Sequence, residues 1–145
     1  MLSQADLAGA WELVDFRVEF DDGREPIAPF GVNARGSLIY STCGRMSGVL
    51  SSGERDVLSA SGLEASHKAP AHEKAAAFDT YLSYAGRYSV QGNQVTHHVD
   101  LALVPNIVGA DQVRDAALDG DELTLTYTRD SKRGKQHYCL RWRRA

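Results

Sequence analysis

The chain has 145 residues, 43% hydrophobic and 24% charged, with a formal net charge of −3 at pH 7. That balance fits one globular domain over residues 1–145 with its own core. The mild charge argues against nucleic acid or an anionic membrane as the main partner.

The opening "MLSQADLAGAWEL" lacks a basic stretch followed by an apolar run, and no segment nears the ~20 apolar residues that span a bilayer. A cytoplasmic protein with free thiols is expected, because Cys43 and Cys139 form neither a disulfide framework nor a metal-binding spacing. "SQAD" reads as a capped first turn, and from there the chain alternates with period two. "WELVDFRVEF" runs into the turn "DDG", and "GSLIYS" into "TCGR" and "MSGVL". From Gly53 to Tyr84 the rhythm changes: "GERDVLSA" and "APAHEKAAAFDTYLSY" read as helix, with Pro70 suited to a first turn. Ala77, Phe78, Tyr81 and Leu82 would form its buried stripe. Alternation then returns in "YAGRYSV", "QVTHHVDLALV", "AALDGDELTLTYT" and "QHYCLRWR". The expectation is an all-β, antiparallel up-and-down barrel of about eight or nine strands. A helical insert near residues 53–83 would cover one mouth. Nothing alternates strand with helix, which argues against a parallel sheet.

Several motifs carry a resemblance. Gly9-Ala10-Trp11 on the first strand is similar to the Gly-x-Trp of lipocalins and other calycins. Further on come Gly31, Asn33, Gly36, Leu38 and Tyr40, then Gly44 to Ser47, then Tyr84, Gly86 and Tyr88. Thr96 to Val99 follow, with Pro105, Asn106, Gly109, Gln112 and Arg114. Together they resemble the bacterial and fungal lipocalin-like domain family across nearly the whole chain. The resemblance implies a small calycin-type barrel whose first-strand tryptophan is covered at the closed end by a basic residue of the last strand, Arg141 or Arg143. Fatty-acid-binding proteins place their helical lid between the first two strands, unlike this chain. Secreted lipocalins carry a signal peptide, disulfides and a late helix. The fold alone leaves function open, since such barrels host both carriers and enzymes.

Strand parity sorts the candidate residues. Val95, His97, Val99, Leu101 and Leu103 share the apolar, inward face of their strand. His98 and Asp100 share the outer face and could pair there. Leu38 with Tyr40, Met46 with Leu50, and Tyr84 with Tyr88 and Val90 form further inward sets. An interior with phenols and an imidazole among aliphatic groups suits a small-molecule pocket, though tyrosines can also simply pack. Burying an unneeded imidazole has a desolvation cost, which favours a functional His97. Arg114 faces inward if Leu118 does, to hold a carboxylate, enolate or phenolate; the alternative is a salt bridge to Asp100 or Asp115. His67 and His72 are wrongly spaced for one helix face and have no evident third ligand, so no metal is expected. No Gly-rich phosphate loop or nucleophile elbow is present, so no cofactor is expected either.

Two functions follow. In the first, the barrel binds a small apolar or amphipathic molecule through Tyr84, Leu38, Met46, Val99, Leu101, Asn106 and Phe78. In the second, it is a cofactor-independent isomerase or cyclase. There His97 would move the proton, Tyr40, Tyr84 or Tyr88 would donate to an oxyanion, and Arg114 would stabilise charge. A homodimer is left open.

Overall fold

The structure is a computed structural model, and it describes residues 1–60 and 62–145. A one-turn helix, α1 (Gln4–Leu7), precedes eight strands: β1 (Gly9–Phe20), β2 (Arg35–Tyr40), β3 (Arg45–Ser51), β4 (Tyr81–Gln91), β5 (Gln94–Ala102), β6 (Asp111–Asp119), β7 (Glu122–Ser131) and β8 (Gly134–Arg144). Each strand pairs antiparallel with the next, and β8 returns to β1, closing an up-and-down barrel. Connections at one end are the tight turns at 41–44, 92–93 and 120–121. At the other end emerge the long segments 21–34, 52–80 and 103–110.

The tight-turn end is sealed. Ser3 caps α1, accepting from the Asp6 amide while the Asp6 carboxylate accepts from the Ser3 amide. Leu7 and Trp11 are fully buried, and the Trp11 indole N–H donates to the Leu7 carbonyl at 2.9 Å. The Arg144 guanidinium lies 4.2 Å from the Trp11 ring and donates to the carbonyls of Ala8 and Asp6. This corrects the expected cover. Tyr138, Leu140, Trp142 and Arg144 share the inward parity of β8. Arg141 and Arg143 point outward and reach Asp15 and Glu122 instead. Gly9 has φ +126°, and a side chain there would crowd the Arg144 guanidinium, which explains the glycine of the Gly-x-Trp motif.

Bulges twice break simple alternation. In β1 the register shifts between Leu13 and Asp15, so Trp11 and Leu13 face inward and then Phe16 and Val18 do. Between β4 and β5, Gly86 pairs with Val99 but Ala85 pairs with Leu101, leaving Asp100 as the extra residue. A side chain on Gly86 would overlap the His98 carbonyl oxygen, so this bulge requires glycine.

The segment between β3 and β4 is far less helical than the sequence suggests. Only Ala71–Asp79 forms an α-helix, α2, with a 3₁₀ turn at Ser66–Lys68; β4 already begins at Tyr81, and Ser61 lies outside the described residues. Side-chain bonds compete with helix formation here. The Glu73 carboxylate accepts from the Ser59 amide and hydroxyl, and Arg55 donates to Ala77 O and Thr80 Oγ1. The expected buried stripe does not form: α2 buries none of its residues, and Phe78 is 45% exposed. Among the described residues no helix is long and apolar enough to cross a membrane.

Candidate functional site

Inside the barrel, on the long-loop side of the Trp11 seal, the core is incomplete. A cavity of about 80 Å³ remains, walled on its apolar side by residues including Phe16, Leu38, Leu50, Leu82, Leu125 and Leu140. This space is smaller than the apolar cavity of about 150 Å³ that takes benzene, so it has room for no more than a few-carbon group. Gly48 creates part of it. Leu38, Gly48 and Tyr84 are consecutive register partners across β2, β3 and β4, and the middle one has no side chain. A Cβ on Gly48 would meet only ordinary contacts, the nearest with Leu38 Cδ1 at 3.5 Å. Backbone geometry does not demand this glycine, unlike Gly86.

The polar side of the wall comprises Tyr84, His97, Arg114, Tyr127 and the Trp142 indole. His97 is 2% exposed, and its imidazole joins two strands. Its Nε2 lies 2.6 Å from Tyr40 Oη on β2, and its Nδ1 lies 2.6 Å from Tyr84 Oη on β4. Burial pushes the His97 pKa down to about 3, assisted by the charge of Arg114 and then by His98, so the ring is neutral near pH 7. Burial likewise pushes the Tyr84 hydroxyl up to about 12, opposed by Arg114, and holds Tyr40 well above the usual phenol range. Both phenols therefore keep their protons.

Arg114 faces inward. Its guanidinium lies 3.7 Å from the Tyr127 ring, which stacks on Tyr138, and it donates to Gln112 Oε1 and Val113 O. The alternative salt bridge is not formed: Asp100 pairs with Arg45 and Arg87, and Asp115 accepts from Gln94. Among the described residues no carboxylate pairs with Arg114, and none lines the cavity. Trp142 is buried, and among the described residues its indole N–H has no acceptor.

The sequence-derived candidates separate accordingly. Tyr84, His97, Arg114 and Leu38 meet at the cavity. Tyr40, Tyr88, Met46 and Val99 are buried in the surrounding core, away from the cavity wall. Tyr88 donates to the Ser41 carbonyl at 2.6 Å, bracing the β2–β3 turn. Leu101 is not inward: it is 71% exposed, because the extra residue Asp100 reverses parity beyond Val99. The same bulge separates His98 from Asp100, and His98 instead contacts Asp111 and Ser89. Asn106 is exposed in the 3₁₀ turn Pro105–Ile107, and Phe78 sits on α2; neither reaches the cavity. Tyr127 and Trp142 were legible as inward from their alternation but not as cavity residues, since that depends on the empty space at Gly48. Among the described residues no group of three His, Cys, Asp or Glu could hold a metal ion.

A closed eight-stranded meander, sealed at one end by a first-strand Gly-x-Trp under a last-strand arginine, defines a calycin-type barrel. The chain belongs to the lipocalin-like domain family, whose profile matches residues 8–145. No curated protein matches the sequence. Among solved structures, the chain is similar to an uncharacterized protein from Bacteroides eggerthii, at 9% identity and a TM-score of 0.43, over 93% of this chain and 98% of that one.

Proposed function

We propose that this barrel binds a small, largely apolar molecule in the cavity beside Gly48. The reading rests on one observation: a mostly apolar cavity retains an arginine that has no carboxylate partner among the described residues and a neutral imidazole–phenol pair on its wall. A few oriented polar groups in an apolar enclosure are the usual make-up of a ligand site. Packing alone would favour aliphatic residues at these positions, because burying polar groups carries a desolvation cost.

A cofactor-free isomerase or cyclase is the second reading, supported by the continuous Tyr40–His97–Tyr84 contacts, along which protons could pass. Binding is favoured over it. A general base works best with a pKa near the working pH, and that of His97 is about 3 with both ring nitrogens already engaged. Titration with 2-propanol, followed by amide NMR, tests the binding reading. Shifts should cluster on the strands around the cavity and vanish in Gly48→Leu, which fills it. Shifts scattered over the surface, or unchanged in that variant, would reject the reading.

A further inference from the structure

We infer that the cavity selects a compact amphipathic anion, its acidic oxygens held by the Tyr84 hydroxyl and Arg114 and its apolar body lying against Leu38, Leu50 and Leu125. The inference rests on the cavity-binding reading and adds the ligand's charge and the direction of its hydrogen bonds.

Counting protons gives that direction. A neutral imidazole has one N–H and one bare nitrogen, so one neighbouring phenol donates to it and the other accepts from it. Tyr40 is 1% exposed, and His97 is its one hydrogen-bond partner among the described residues. If Tyr40 were the acceptor, its own hydrogen would be buried without a partner. Tyr40 therefore donates to Nε2, and Nδ1–H donates to Tyr84 Oη. The Tyr84 hydrogen is then left over, on a residue that lines the cavity.

The other unused capacity has the same sense. Among the described residues the Arg114 guanidinium, which lines the cavity, has no carboxylate partner. The Tyr127 hydroxyl can serve either way. A cavity with surplus donors, one of them cationic, and no acidic residue in its wall favours an occupant that brings acceptors and a negative charge. The small volume limits the apolar part to a short branched chain or little more.

Isobutyrate and isobutyramide, nearly identical in shape but anionic and neutral respectively, test the inference by NMR titration of the Trp142 indole N–H and backbone amides. Isobutyrate should bind at least about tenfold more tightly, as expected for charge-assisted hydrogen bonds. The preference should collapse in Arg114→Gln and persist in Arg114→Lys, and Gly48→Leu should abolish binding of both probes. Equal affinity of the two probes, with binding still lost in Gly48→Leu, would leave the cavity reading standing and overturn the anion inference. A preference that survives in folded Arg114→Gln would also overturn it. If Arg114→Gln does not fold, the wild-type ratio and Arg114→Lys still decide. No cavity-dependent binding of either probe would overturn both readings.

Discussion

Tyr40 Oη and His97 Nε2 lie 2.6 Å apart in the closed part of the barrel, joining β2 to β5 through a bond fully removed from water. His97 is therefore both part of the core and part of the cavity wall. His97→Ala should lower stability by about 1–3 kcal/mol, because it orphans the Tyr40 hydroxyl. Exposed pairing makes His98→Ala nearly neutral, within about 0.5 kcal/mol. Denaturant melts of the two variants side by side check the order, and equal losses would contradict it.

The same burial makes stability depend on pH. The unfolded chain protonates His97 near its ordinary value of 6.5, whereas the folded chain resists until about 3. The contribution is complete above pH 7 and is lost as pH falls through that window, at up to about 1.4 kcal/mol per pH unit. Tyr40 and Tyr84, whose hydroxyls contact the ring, stay protonated throughout. Unfolding curves from pH 7 down to pH 4 should thus converge for wild type and His97→Gln. Parallel curves would show that the ring titrates normally.

Gly86 and Gly48 should respond oppositely to the same change. Gly86→Ala drives a Cβ into the His98 carbonyl and must displace the bulge, at a cost of roughly 3 kcal/mol or more. Gly48→Ala meets only van der Waals contacts and should leave the melting temperature nearly unchanged while shrinking the cavity. Thermal melts of the pair decide this, and a destabilised Gly48→Ala would mean that the cavity is tighter than its walls suggest.

At the sealed end, Arg144→Ala removes the guanidinium above Trp11 and its bonds to two carbonyls. A loss of about 1–3 kcal/mol is expected, against little for outward-facing Arg143→Ala. The reverse ranking would return the cover to Arg143.

How far the sequence could be read depends on local parity. The meander and the inward His97 follow from period-two alternation and turn residues, and the sealed Trp11 from the Gly-x-Trp resemblance. Leu101 and the His98–Asp100 pair were misplaced because a one-residue bulge leaves no apolar pattern of its own; Gly86 was the available sign. Arg144 was missed although Trp142 shares its parity, because the motif fixes the type of residue but not the position. The insert was over-read as helix: alanines raise propensity, but Glu73 and Arg55 hold the preceding segment through side-chain bonds invisible in composition. The cavity itself depended on a missing side chain facing Leu38 and Tyr84 across three strands.

Closure of β1 onto β8 has a kinetic consequence. With each strand hydrogen-bonded to two neighbours around the closed ring, the sheet has no terminal strand that could peel back. Under the proposed binding function, passage in and out runs through segments 21–34, 52–60, 62–80 and 103–110, where the backbone is tied by fewer ladder bonds. Exchange rates of a guest should follow the motions of these loops, while the lifetime of the sheet is set by its ladders. Substitutions in the loops can consequently change residence time without changing how long the barrel stays folded.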